Sequence, residues 1–188
     1  MVMYISKGVL IKKLPHKQLL IYHYRDKHRL NEKQSILWLN GIRNFCQVTT
    51  LEEERTVYEL VAFGIAEISQ ETNSWGKYYL LRKCLIGVLP KRRRFMGLTK
   101  QEKKIMKWLD NAGFRLGISE LIFLVEQNIE PTEELFGWEN AGKLRLLLNG
   151  SLITIGDTMG TKALIAYCRD DVIACVISLV RKRRICLI

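Results

Sequence analysis

The sequence predicts a helix-dominated α+β fold built as two tandem winged-helix-like modules, one over residues 1–90 and one over 98–188. Three observations point there. The first thirty residues are rich in β-branched and aromatic side chains, helix-capping signatures follow at intervals, and two distant segments share one ending. In each of those, an apolar helix face runs into a glycine and then into extended chain: Leu60 to Ile65 around Gly64, and Leu146 to Leu152 around Gly150.

Taken in order, residues 4–14 and 19–24 read as two strands joined by a turn at Pro15, His16, Lys17 and Gln18. Asn31, with Gln34 three residues on, is a capping box opening a helix whose apolar positions are Ile36, Leu37, Leu39 and Ile42. Thr50 with Glu53 repeats the signature for a helix reaching Phe63, stopped by Gly64, with extended chain over 65–69. Asn73 to Gly76 reads as a turn and residues 77–85 as a strand. Lys91 to Arg94 and Gly97 mark a module boundary. Thr99 and Glu102 then cap a helix with buried positions Ile105, Met106, Trp108 and Leu109, ending near Gly113. Further helices are expected over 118–127 and 131–148, a strand over 151–155, and an apolar helix over 161–180, interrupted at Asp170 and Asp171.

Composition narrows the function. The N-terminus has no secretory h-region, and no uncharged apolar run is long enough to span a bilayer, so the expectation is a cytoplasmic protein. Five cysteines without a CxxC pair, and three histidines confined to the first 28 residues, fit reduced thiols better than a metal site. No metal and no cofactor is expected. The net charge of +11 is concentrated before Gly97, where 17 Lys/Arg stand against 8 Asp/Glu; after it the balance is 13 against 11. Such a surface suits an anionic partner, whether nucleic acid or acidic peptide.

No residues assemble into a catalytic pattern. Ser35, Ser119 and Ser178 lack a neighbouring histidine, His23 and His28 fall on opposite sides of a strand, and Gly156 and Gly160 lack the phosphate-loop spacing. Glu52, Glu53 and Glu54, like Asp170 and Asp171, suit helix N-termini, where carboxylates complement the dipole. The protein reads as a non-enzyme.

A winged helix with surplus cations suggests DNA binding, but the recognition positions are acidic. Residues 50–63 carry Glu52, Glu53, Glu54 and Glu59 against Arg55. Residues 131–148 carry Glu133, Glu134 and Glu139 against Lys143 and Arg145. Carboxylates placed in a groove lined with phosphates meet repulsion where a DNA-binding protein gains most of its affinity from cations. The alternative function, a DNA-binding regulator, would have to rely on Arg25, Lys27 and Arg29, on Lys91, Arg92, Arg93 and Arg94, and on Arg181, Lys182, Arg183 and Arg184.

The run Leu19-Leu20-Ile21-Tyr22, Arg29-Leu30-Asn31-Glu32, Ile36-Leu37, Asn40-Gly41-Ile42-Arg43 and Glu59 to Ile65 resembles the PqqD-like peptide-recognition modules of ribosomal-peptide modification systems. The resemblance covers roughly residues 4–70. It implies a module that binds a leader peptide as an added strand against a helix, with Leu19, Ile21, His23 and Arg25 on the edge and Glu53, Val57 and Leu60 on the helix wall. The favoured expectation is therefore a peptide- or protein-recognition factor. A homodimer through the apolar stretch from Leu164 to Val180 is a further expectation.

Overall fold

A computed structural model describes residues 1–90, 95–112, 116–130 and 161–188, with side chains from Cys168 onward in the last segment. Lys91 to Arg94, the helix expected over 131–148 and the strand expected over 151–155 lie outside the described residues.

The architecture is α+β, with six helices and three small antiparallel sheets among the described residues. In the first sheet, β1 (Met3–Ser6) lies between β5 (Cys46–Gln47) and β6 (Ala66–Ser69). The second is a meander of β2 (Val9–Lys13), β3 (Leu19–His23) and β4 (Asp26–Leu30), in that spatial order. Residues 4–14 are thus two strands rather than one. Gly8, at φ +94, breaks the run, and its backbone passes so close to the Tyr22 carbonyl and Ile21 that a side chain would clash. Arg25, Lys27 and Arg29 lie in the turn into β4 and on β4 itself.

The capping signatures hold. Asn31 and Gln34 form the reciprocal bonds that open α1 (Glu32–Gly41), and Thr50 and Glu53 do so for α2 (Leu51–Ala62). Gly64, at φ +73, closes α2 in the left-handed conformation that a β-carbon disfavours, and β6 follows. The segment expected as a strand over 77–85 is instead α3 (Ser74–Arg82). The Asn73 side chain accepts the Gly76 amide as an N-cap, and Leu80 and Leu81 are fully buried. Aromatic content at Trp75, Tyr78 and Tyr79 suggests β-structure, but a helix needs only one buried face; Tyr78 packs against the second core, and Trp75 and Tyr79 are exposed.

The chain continues through β7 (Ile86–Val88), α4 (Lys100–Ala112), α5 (Ile118–Glu126), α6 (Thr161–Arg181) and β8 (Ile185–Leu187). Helix α6 runs through Asp170 and Asp171 without interruption because both carboxylates sit on its exposed side. Its apolar face, including Val172, Val176 and Leu179, is buried in the chain's own core. That burial leaves those residues unavailable to the homodimer expected through Leu164 to Val180.

Two hydrophobic cores result, and β1 is the wall between them. Val2 and Tyr4 point into a first core with Leu19, Ile21, Leu30, Trp38 and Leu60. Met3 and Ile5 point into a second with Leu81, Ile86, Trp108, Leu121 and Val176. Alternation along one strand serves both sides, so β1 reads as a continuous apolar run. Packing does not follow the expected division at 90–98: β7 pairs with β8 from the end of the chain, and α3 contributes to the second core.

Candidate peptide-binding surface

The meander positions the candidate surface. Its first turn closes with the Leu14 amide donating to the Gln18 carbonyl at 2.9 Å, and its second is a two-residue turn at Tyr24 and Arg25, with Tyr24 at φ 52. The register aligns Lys12 with Leu20 and Leu20 with Arg29, then Val9 with Tyr22 and Tyr22 with Lys27. Because side chains alternate across a strand, these two cross-strand rows share the outer face. Lys12, Tyr22, Lys27 and Arg29 are exposed there, with Tyr24 and Arg25 at the tip. Residues 1–31 contain seven Lys/Arg and Asp26 as their single carboxylate; Lys7 pairs with Glu67 and Lys17 with Glu32, and the other cations leave the outer face of the meander positive. Arg29 donates to Gln18 at 2.9 Å; no described carboxylate pairs with Lys12, Arg25, Lys27 or Arg29.

The residues expected to hold a peptide lie mainly on the other face. Leu19, Ile21, Val57 and Leu60 are buried in the first core, so their side chains cannot meet a partner. Moreover, β3 is the central strand, bonded on both sides, and the open edges are β2 and β4. This corrects the assignment of Leu19, Ile21, His23 and Arg25 to an edge. Glu53 accepts from the amides of Thr49 and Thr50 at 2.8 and 3.2 Å as the cap of α2, rather than lining a peptide groove. Arg25 alone of that set is exposed on the meander. The expected parity along β3 is thus reversed: its outward residues are Leu20 and Tyr22, in register with Lys12 and Val9 on β2. Alternation marks two sets of positions, and only packing against α1 and α2 decides which is outward.

His23 is buried beside Lys7, whose ammonium bonds the Glu67 carboxylate at 2.9 Å. Burial, reinforced by the positive charge of Lys7 and by His28, lowers the His23 pKa to about 4, against weaker opposing pulls from Glu67 and Asp26. The ring is therefore neutral at pH 7. On β4, His28 stacks on Phe63 at 5.7 Å, fastening the meander to the end of α2.

The basic tail proves not to be one patch. The Arg181 guanidinium binds Asn44, Lys182 sits 2.7 Å from the buried Glu102 carboxylate, and Arg184 donates to the Met96 carbonyl at 2.8 Å. Arg183 is exposed, at φ 53, beyond the end of α6. Three of the four tail cations offered for nucleic acid thus brace the tail against the body of the chain, and Lys91, Arg92, Arg93 and Arg94 lie outside the described residues. Two further carboxylates of α2 are engaged at the surface: Glu52 pairs with Lys33, and Glu59 accepts from Gln34 at 2.8 Å.

The remaining polar candidates have structural partners. Ser178 donates to Glu102 at 2.6 Å, Ser119 bonds the Tyr78 hydroxyl at 3.0 Å, and Ser35 reaches the Leu30 carbonyl at 3.4 Å. All five cysteines are free thiols, and burial pushes the Cys84 thiol up to about 12. Among the described residues no three His, Cys, Asp or Glu side chains gather as a metal site, and no helix is long and apolar enough to cross a membrane. No family model, no curated protein and no solved structure matches this chain.

Proposed function

We propose that the protein is a non-enzymatic recognition factor whose winged-helix-like first unit binds an extended, acidic peptide or protein segment through the β2–β3–β4 meander. The observation that carries this reading is the pairing of open strand edges with a cationic outer face. Both β2 and β4 are edge strands, and Lys12, Lys27 and Arg29 surround Tyr22 on the adjoining surface. An edge supplies main-chain hydrogen bonds to an added strand, and cations beside it select carboxylates on that strand. Proteins usually blunt exposed edges with lysines, which also serves solubility. Exposed Tyr22 and Tyr24 among those cations add contact area that protection alone does not require.

A second reading follows from the same aromatic residues. Tyrosines interleaved with lysine and arginine are a stacking platform for single-stranded nucleic acid. Duplex DNA read by α2 is disfavoured by Glu52, Glu53, Glu54 and Glu59.

Fluorescence anisotropy with three labelled probes, an acidic-apolar peptide, a single-stranded oligonucleotide and an arbitrary duplex, across a salt series, tests these readings. Saturable peptide binding with weak oligonucleotide binding is the expected result. Micromolar oligonucleotide binding with a steep salt slope, and none to peptide, would replace it with the nucleic-acid reading.

A further inference from the structure

The edge of β2 leads to a cleft at the seam between the two cores. The Gly8 amide donates to the Leu187 carbonyl at 2.7 Å, joining the start of β2 to the free edge of β8. Residues Leu85 and Ile188 exchange both backbone bonds, so Arg184, Cys186 and Ile188 face β7, and Ile185 and Leu187 turn their backbone groups the other way. On β2 the same alternation turns the Leu10 backbone groups outward, because its partner Ile21 is bonded toward β4. Beyond Gly8 and Leu187 the two edges part around a cleft of about 250 Å³. Leu39, Ile42, Val180 and Ile185 give it apolar walls, and Arg43 and Arg183 stand at its rim.

Those two arginines differ from their neighbours. Arg181, Lys182 and Arg184 are each tied to the body of the chain, whereas among the described residues neither Arg43 nor Arg183 has a side-chain hydrogen bond or ion pair. Arg183 also occupies a left-handed position, at φ 53, that would suit glycine or asparagine better at a helix end. Two such guanidinium groups over an apolar cleft favour an occupant with an acidic group next to apolar ones. Size favours a side chain over a free metabolite, since small-molecule pockets commonly begin near 300 Å³.

We infer that this cleft is the anchoring pocket for the bound segment: an extended peptide runs along the β2 edge, inserts one large apolar side chain between β2 and β8, and sets an adjacent carboxylate against Arg43 and Arg183. The inference rests on the peptide reading above and assigns that reading to the β2 edge instead of β4.

The test uses the full chain and a labelled octapeptide of alternating aspartate and leucine, with a lysine-and-leucine octapeptide as control. Arg183→Gly removes the guanidinium while relaxing the backbone, so thermal stability should hold or rise; Arg43→Gln is the companion variant. Each should weaken binding of the acidic peptide by about tenfold or more. Hydrogen exchange with bound peptide should slow at the Leu10 and Ile185 amides. Slowing instead at Lys27 and Arg29, with affinity unchanged in Arg183→Gly, would overturn the cleft assignment and leave peptide recognition standing at β4. No saturable binding to the wild-type chain up to about 1 mM would overturn both.

Discussion

The two cores of this chain treat charge in opposite ways. In the tail beside the second, three of the four cations are structural: Lys182 closes on Glu102, Arg181 on Asn44 and Arg184 on a backbone carbonyl. On the meander above the first, Lys12, Lys27 and Arg29 face water, and no described carboxylate pairs with them. The same residue types therefore hold the molecule together in one region and face solvent in the other. Net charge alone does not separate these uses; the location of the counter-charge does.

The sharpest way to break that comparison is at Glu102. Its carboxylate caps α4 through the Thr99 amide at 2.7 Å and accepts from Ser178 and Lys182. Burial alone would raise its pKa, but the bonds from Lys182 and Ser178 outweigh burial and hold it below the usual carboxylate value. Glu102→Ala should cost about 2–4 kcal/mol in denaturant unfolding, since it removes a cap and strands part of a buried ion pair. A loss below about 0.5 kcal/mol would mean that this cluster is no more structural than an ordinary surface pair.

His23 offers a comparable effect with a different signature. Its folded pKa, near 4, lies below the ordinary 6.5, so the unfolded chain takes up the proton first. Stability should be unaffected above about pH 6.5, fall as the pH drops toward 4 and level off below, by on the order of 3 kcal/mol. Because Lys7, Glu67, His28 and Asp26 also bear on this ring, the control is His23→Phe, which should flatten that part of the stability profile. An unchanged profile would assign the acid sensitivity to the carboxylates.

Smaller effects sharpen the picture. Gly64→Ala, at φ +73 with no atom closer than 3.9 Å to the added carbon, should cost about 1 kcal/mol from backbone strain alone. Thr50→Ala should cost a similar amount, about 1 kcal/mol, through the lost bond to the Glu53 amide. The smallest change in stability is expected for the combined Lys12→Gln, Lys27→Gln and Arg29→Gln chain, within about 0.5 kcal/mol of wild type. That chain should nevertheless bind the acidic peptide more weakly and with a flatter salt dependence. If it binds as tightly as wild type, the cationic face is solvation and not recognition.

Much of this organisation was legible before folding. The capping boxes at Asn31, Thr50 and Thr99, the stop at Gly64 and the apolar face of α4 all appeared where residue type and spacing placed them. Each is decided within one helical turn, by hydrogen bonds between residues three or four apart. The same local logic revealed the acidic surface of α2.

Other features depended on distant partners. The strand expected over 77–85 became α3, because Asn73 caps a helix and the second core takes Leu80 and Leu81 from one side of it. The parity of β3 was set by α1 and α2 packing beneath the meander, and its central position by β2 and β4 pairing on either side. The fate of residues 181–184 was decided at Glu102, Asn44 and Met96, far away in sequence. The sequence by itself determined where helices begin and how much charge the chain carries. Only the tertiary structure decided which strand faces are buried and which cations remain unpaired, because burial and counter-charge are relations between residues that the linear order keeps apart.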